Sequence, residues 1–194
     1  TRLLILNSPA NPTGGVVSRE VMDRLAEGLA AHPRVAVLSD EIYSRMLYDG
    51  SQHVSLLEYE HLRDRVIMLD GWSKTYAMTG WRLGYGGGPE ALIKAMSVIQ
   101  SQSTSAACSI SQAATIAALE GPQEFLAERA EAFRARRDLV VAALEAVPGL
   151  ACRTPQGAFY AFAECGGVLG RQTPDGRRLE SDREFCAWLM ETAD

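Results

Sequence analysis

The chain has 194 residues and a formal net charge of −5, and hydrophobic residues make up 47% of it. This length and apolar content suffice for one ordinary domain, or for one domain and part of another. The mild acidity and the lack of a basic run exclude a nucleic-acid surface. No apolar stretch approaches the roughly 20 residues that span a bilayer, which excludes a membrane-spanning segment.

The two ends of the sequence do not resemble natural termini. The chain begins with Thr1 rather than Met and enters an apolar, strand-like run at once. It stops at Asp194, within or just after a helix-like run. No signal peptide is recognisable. We therefore expect the chain to be a fragment of a longer protein.

The cysteines and histidines predict no metal site. The four cysteines are widely spaced and form no C-x-x-C pair: Cys108, Cys152, Cys165 and Cys186. This spacing indicates buried or partly buried free thiols in a reducing compartment, so we expect a cytoplasmic protein. The three histidines stand in polar, loop-like segments, which predicts surface histidines rather than general bases: His32, His53 and His61.

The first part of the chain alternates strand-like and polar segments. Three short apolar runs predict buried strands, at residues 3–6, 35–38 and 65–69. Between the first two, Ser18 can cap a helix over residues 19–31. Strands that alternate with helical segments favour a mainly parallel α/β sheet.

Polar side chains follow each of these predicted strands. Ligands bind beyond the carboxyl ends of parallel strands, where neighbouring strand ends meet. The spacing therefore predicts that four residues converge on one site: Asn11, Asp40, Tyr43 and Lys74.

The later segments predict a glycine-rich strand, several helices and a change of composition. The expected elements are a strand at 83–87, helices at 89–102, 109–119 and 123–147, short strands at 150–153 and 158–163, a loop at 166–180 and a helix at 182–192. We place a domain boundary near residue 125, inside the long helix.

The stretch from Gly71 to Gly84, G-W-S-K-T-Y-A-M-T-G-W-R-L-G, carries the chemistry. Lys74 stands in a cramped turn rich in glycine and aromatic residues, which suits an amine nucleophile better than a surface lysine. Arg82 follows eight positions later, and its guanidinium fork suits a doubly charged oxyanion such as phosphate.

These fourteen residues resemble the lysine signature of the class I/II (fold-type I) pyridoxal-phosphate-dependent aminotransferases, with Lys74, Gly80, Arg82 and Gly84 at the family spacing. The resemblance runs nearly end to end and is similar above all to the bacterial aspartate aminotransferase subgroup. It implies the α/β fold of that family, a mainly parallel sheet flanked by helices plus part of a small α+β C-terminal domain. Residues 1–124 would be the C-terminal half of the large cofactor-binding domain. Residues 125–194 would be the connecting helix and part of the small domain.

The resemblance also implies the role of each site residue. Lys74 would be the catalytic residue and form a Schiff base with pyridoxal 5′-phosphate, whose phosphate Arg82 and Ser73 would contact. Asp40 would pair with the pyridine nitrogen, while Tyr43 and Asn11 would donate hydrogen bonds to the ring oxygen. Asn11 would also contact the substrate, and the Asn11–Pro12 bond resembles one that is cis in the family.

Several of these residues also have plain structural interpretations. By position alone, Asp40 serves equally well as the N-cap of a helix that begins with Glu41-Ile42-Tyr43. Ser73 is explained as a small residue that permits a tight turn, Tyr43 as a packed ring with a wet hydroxyl, and Asn11 as a turn residue. Residues 154–160 resemble the family's P-x-G-A-F-Y element, which helps to close the site and is not a catalytic motif.

The resemblance implies an aminotransferase, expected as a homodimer, that moves an amino group between an amino acid and 2-oxoglutarate. The amino acid would be aspartate or a related acidic or aromatic one. Two alternatives stay open: a pyridoxal-phosphate-dependent lyase on the same fold, and an aminotransferase-like sensor domain of a transcription regulator. The phosphate loop and the arginine that grips the substrate carboxylate are expected outside this chain.

Overall fold

The computed structural model describes residues 1–192, which form six strands and six α-helices. The strands are β1 (Leu3–Asn7), β2 (Ala36–Asp40), β3 (Val66–Gly71), β4 (Gly84–Gly87), β5 (Ala151–Cys152) and β6 (Ala163–Glu164). The helices are α1 (Arg19–Ala30), α2 (Trp72–Thr75), α3 (Glu90–Ser103), α4 (Ser109–Glu120), α5 (Phe125–Glu145) and α6 (Asp182–Thr192). Most predicted elements are therefore present, with bounds that differ by one to a few residues.

The first four strands form one sheet in the order β1-β2-β3-β4. The β1–β2 and β2–β3 pairs are parallel, and β4 runs antiparallel to β3. The prediction of a mainly parallel α/β sheet is thus confirmed. The register pairs Asn7 with Asp40 and Asp40 with Leu69, so the carboxyl ends of the three parallel strands lie side by side. β5 and β6 form a separate two-stranded antiparallel sheet.

Helix α1 covers one face of this sheet. It begins after Ser18, whose hydroxyl accepts a hydrogen bond from the Val21 amide as predicted. The apolar side of α1 packs with residues of β2, β3 and the 3₁₀ turns Leu56–Glu58 and Glu60–Leu62 to form a buried core: Met22, Ala26, Leu29, Val37, Val54, Leu56, Leu62 and Val66.

One prediction about β1 is wrong. The apolar run at residues 3–6 predicts a strand buried on both faces, but Leu3 and Ile5 are 48% and 65% exposed. Successive side chains of a strand point to opposite faces of a sheet. Leu4 and Leu6 therefore meet the core under α1, while Leu3 and Ile5 point to the opposite face of the sheet, where they are exposed.

The predicted strand at residues 158–163 is also largely absent, because only Ala163 belongs to β6. Residues 155–160, which we call the clamp segment, instead lie across two loops that follow β1 and β2. The amides of Gln156 and Gly157 both donate to the Gly14 carbonyl at 2.9 Å, and the Ala158 amide donates to Met46 O at 2.9 Å. These cross-contacts use the backbone groups that a sheet ladder would need.

The tightest point of the clamp segment is Gly157. A Cβ atom there would lie 2.8 Å from the Met46 carbonyl oxygen and 2.9 Å from Pro9 Cβ. Gly157→Ala in the full-length protein is therefore expected to lower the free energy of unfolding by about 1–3 kcal/mol, the usual cost of overpacking. Urea denaturation measures this cost.

Gly28→Ala is the matched control, because a Cβ on Gly28 in α1 would meet no atom within 4 Å. Alanine at this helical position should leave stability unchanged or raise it by up to about 1 kcal/mol. Equal unfolding midpoints for Gly157→Ala and the parent protein would contradict the close approach of the clamp segment.

Candidate active site

The ends of β1 and β2 are joined through Asn7. Its Nδ2 donates to the Asp40 carbonyl oxygen at 3.1 Å, and its Oδ1 accepts from the Asn11 amide at 2.7 Å. Asn7 thus fixes the backbone on either side of the predicted site. The sequence analysis missed this role, although Asn7 ends an apolar strand in the same way as Asp40. Asn11 itself is exposed, and the Asn11–Pro12 bond is cis, as the resemblance implies.

Asp40 ends β2 and is partly buried. Its Oδ1 accepts a hydrogen bond of 3.2 Å from the Ile42 amide, so it does cap the turn that follows. No helix follows it, however, and the turn at residues 42–45 carries Tyr43 back toward the end of the sheet. The capping role and a role in binding are compatible, because the cap uses one of the two carboxylate oxygens.

Lys74 lies in the short helix α2, directly after β3. Its Nζ is 5.1 Å from the centre of the Phe159 ring and 5.9 Å from the centre of the Tyr43 ring, within the range of cation–π attraction. None of the ion pairs formed within residues 1–192 involves Lys74. Its ammonium therefore faces aromatic rings rather than a carboxylate. One of these rings belongs to Tyr43, which is predicted to bind the same ligand as Lys74.

Helix α5 supports the turn that carries Lys74. The Arg129 guanidinium donates to the Thr75 carbonyl at 2.8 Å and to the Lys74 carbonyl at 3.4 Å. The sequence analysis did not single out Arg129, because its charge lies on the polar side of a long helix and no local pattern marks its partner. Arg129 holds the end of α2 in place from an element about 50 residues away.

Tyr43 is buried, and its hydroxyl lies 2.6 Å from that of Tyr160. Burial raises the pKa of Tyr43 well above its usual value, and the hydrogen bond with Tyr160 raises this pKa further. The Tyr43 phenol is therefore held in its protonated form, in which it can donate a hydrogen bond. Tyr160 and Phe159 belong to the P-x-G-A-F-Y element, which by resemblance helps to close the site, but their contacts with Tyr43 and Lys74 were not predicted from the sequence.

Ser73 and Arg82 both lie in the segment between the end of β3 and the start of β4. Ser73 precedes Lys74 in α2 and is partly buried. Arg82 lies two residues before Gly84, which pairs with Gly71 at the start of β4. Arg82 has a left-handed backbone with φ 53°, and its exposed guanidinium donates to the Thr79 carbonyl at 2.9 Å. Such backbone strain in a residue other than glycine often marks a binding site.

The prediction that His53 is a surface histidine is wrong. Its side chain is only 18% exposed, and its Nε2 lies 2.7 Å from Oε2 of the buried Glu41. Glu41 also accepts hydrogen bonds from the hydroxyls of Ser39 and Ser55 at 2.9 and 2.8 Å. A buried carboxylate needs such partners, so Glu41 gathers side chains from β2 and from the loop that contains His53 and Ser55, and it fixes the turn after Asp40. The sequence holds no local sign of this pairing.

The cysteines are free thiols, but only two match the expectation of burial. Cys152 is buried and Cys165 is partly buried, whereas Cys108 and Cys186 are exposed. Within residues 1–192, no group of three or more His, Cys, Asp and Glu side chains is placed to hold a metal ion. No helix in this part of the chain is long and apolar enough to cross a membrane.

The groups gathered at this end of the sheet form a donor set with a recognisable chemistry. A carboxylate, a protonated phenol, an amine and an arginine come from separate segments: Asp40, Tyr43, Lys74 and Arg82. These groups suit a ligand with a basic ring nitrogen, an anionic ring oxygen, an aldehyde and a phosphate. Pyridoxal 5′-phosphate has all four, so the residues present fit this cofactor.

Comparison with known proteins identifies the class of protein that this fold and site define. The family model for aminotransferase class I and II matches residues 1–192. Aspartate aminotransferase of Rhizobium meliloti (strain 1021) is 54% identical over 194 residues, which are 100% of this chain and 47% of that protein. A probable aspartate/prephenate aminotransferase of Rickettsia bellii (strain RML369-C) is 45% identical over 100% of this chain and 49% of that protein.

The fold agrees with this similarity. The crystal structure of the aspartate aminotransferase from Rhizobium meliloti superposes with a TM-score of 0.97 at 52% identity, over 100% of this chain and 48% of that chain. The chain therefore belongs to the class I and II aminotransferase family. It spans about half the length of the relatives that it matches.

Proposed function

We propose that the full-length protein is a pyridoxal-phosphate-dependent aminotransferase and that this chain supplies the residues that hold and work the cofactor. One observation carries the proposal most directly. The Lys74 ammonium lies at the end of a parallel sheet, 5.9 Å from the centre of the Tyr43 ring. Tyr43 is on the loop that follows Asp40. Membership of the aminotransferase family supports it.

Each side chain has one task in this proposal. The Asp40 carboxylate holds a proton on the pyridine nitrogen, and the Tyr43 hydroxyl and the Asn11 amide donate to the ring oxygen. The Arg82 fork and the Ser73 hydroxyl bind the phosphate. When bound, the cofactor supplies the electron sink that stabilises negative charge at the substrate's α-carbon.

Lys74 does the proton chemistry. Its amine would hold the cofactor through the aldehyde group. As a free amine it would take the proton from the substrate's α-carbon and pass it on. The rings of Tyr43 and Phe159 beside its Nζ limit the approach of water to this amine.

The names of the relatives guide the choice of substrate. Those proteins are called aspartate and probable aspartate/prephenate aminotransferases. We therefore propose aspartate as the amino donor and 2-oxoglutarate as the acceptor, with Asn11 contacting the substrate and prephenate as a further acceptor to be tested.

A coupled assay tests this proposal. The purified full-length protein, loaded with pyridoxal 5′-phosphate, is given aspartate and 2-oxoglutarate, and oxaloacetate formation is followed with malate dehydrogenase and NADH. We expect oxaloacetate and glutamate in equal amounts. The absence of oxaloacetate would contradict the aspartate assignment. Pyruvate and ammonia released when no oxo-acid acceptor is added would identify a lyase instead.

The same comparison supports a proposal for the organisation of the whole protein. We propose that residues 1–124, which hold the four-stranded sheet, are the C-terminal half of the large domain. Residues 125–194 would contribute the connecting helix and part of the small domain, which contains β5 and β6. We further propose a homodimer in the cytoplasm, where the free thiols meet a reducing environment.

A further inference from the structure

We infer that Tyr160 is a positioning residue for the cofactor site, which directs the hydroxyl proton of Tyr43 toward the cofactor's ring oxygen. This inference deepens the proposed function and rests on it. Tyr160 belongs to the clamp segment, which the sequence resemblance treats as structural.

The hydroxyls of Tyr43 and Tyr160 have only two hydrogens between them. The Tyr43 and Tyr160 oxygens are 2.6 Å apart, so one of them donates to the other. Each phenol has one hydrogen to donate. If Tyr43 donated to Tyr160, it would have none left for the cofactor. If Tyr160 donates, Tyr43 keeps its hydrogen, and the two bonds in series strengthen each other.

The rings also limit how Tyr43 can turn. They meet edge to face, with centroids 5.7 Å apart and an interplanar angle of 84°. Tyr43 is 3% exposed, and within residues 1–192 its hydroxyl has Tyr160 as its one hydrogen-bond partner. The Tyr160 hydroxyl therefore decides which way the buried phenol of Tyr43 points its hydrogen.

The backbone that carries Tyr160 is held firmly by its neighbours. The Tyr48 hydroxyl donates to the Ala158 carbonyl, and the Ala158 amide donates to Met46 O at 2.9 Å. Ala158 is fully buried with a left-handed φ of 58°, and Phe159 stacks on Phe133 of α5 at 6.1 Å between centroids. A side chain anchored in this way can position another, because its own freedom is already lost.

A pH titration of the cofactor-loaded protein can measure this effect. The cofactor bound to Lys74 changes its visible absorption when the nitrogen that joins them loses its proton. Once this nitrogen has lost its proton, no positive charge offsets the negative charge on the ring oxygen. A hydrogen-bond donor such as Tyr43 therefore stabilises the deprotonated form more than the protonated form. Loss of the donor should therefore raise the midpoint of the titration.

We expect Tyr160→Phe to raise the titration midpoint of the full-length protein by about half a pH unit, and Tyr43→Phe to raise it by about one unit. These shifts correspond to the loss of part or all of one hydrogen bond to a charged group. The double variant should match Tyr43→Phe, because Tyr160 acts through Tyr43. Equilibrium dialysis with pyridoxal 5′-phosphate should show weaker binding, by about threefold for Tyr160→Phe.

Tyr59→Phe is the matched control, because it removes a tyrosine hydroxyl that donates to Asp23 at 2.6 Å, away from this site. Its midpoint should equal that of the parent protein. An unchanged midpoint in Tyr160→Phe, or a shift of equal size with and without Tyr43, would overturn the inference. A parent protein without the visible absorption would instead contradict the proposed function, so the two failures are distinguishable.

Discussion

Replacing Lys74 by alanine in the full-length protein is expected to abolish the visible absorption of the bound cofactor and to lower turnover by at least about 10⁴-fold. The reason is that one amine both binds the cofactor and moves the proton, and the structure places no other lysine near it. The chain contains only one other lysine, Lys94. Absorption spectra after incubation with pyridoxal 5′-phosphate, followed by the coupled assay, measure both effects.

Lys94→Ala provides the control. Lys94 lies on α3 and pairs with Glu90 one turn away, and both side chains are largely exposed. Such a surface ion pair contributes little to stability, so this variant should keep the spectrum and the rate of the parent protein. A Lys74→Ala protein that still shows the visible absorption would refute the assignment of Lys74, whatever its activity.

Asp40→Asn is expected to lower turnover by about 10²–10⁴-fold and leave the fold intact. In the parent protein, the Ile42 amide donates to Oδ1 of Asp40 at 3.2 Å, and asparagine keeps an oxygen that can accept this bond. Asparagine has no charge, however, to hold a proton on the pyridine nitrogen. Asn7 bonds the backbone of Asp40 and is unaffected by the change. The coupled assay and a thermal melt of the same sample measure the two effects separately.

Asp40→Ala distinguishes the cap from the charge. It removes both, so it should lose turnover as Asp40→Asn does and also lower stability by about 0.5–2 kcal/mol. Wild-type turnover in Asp40→Asn would show that the carboxylate serves only as a cap. The plain structural interpretation of this position would then be sufficient.

The central candidate residues were predictable because each lies directly after an apolar run. Asp40 ends β2 and Lys74 follows β3, and parallel strands bring their carboxyl ends to one edge. The spacing between Lys74 and Arg82 then indicated a family, and the comparisons show that the chain belongs to it. Asn7 obeys the same rule after β1 and was within reach of the same reasoning.

The contacts that refine the site were beyond such reasoning. Tyr160 meets Tyr43 across 117 positions of sequence, and Arg129 meets Thr75 across 54. The predicted strand at 158–163 failed for a related reason, since the clamp segment bonds to Gly14 and Met46 instead of to a neighbouring strand. His53 looked like a loop histidine until Glu41 proved to be its partner.

The sequence by itself determined the order of the strands and helices along the chain, the edge of the sheet where polar groups gather, and the family. These depend on periodicity and on spacing within one segment, which are local properties. Only the tertiary structure decided which side chains touch: the Tyr43–Tyr160 pair, the aromatic surroundings of Lys74 and the buried Glu41–His53 pair. Such contacts depend on how separate segments pack, and burial then raises the pKa of the Tyr43 hydroxyl.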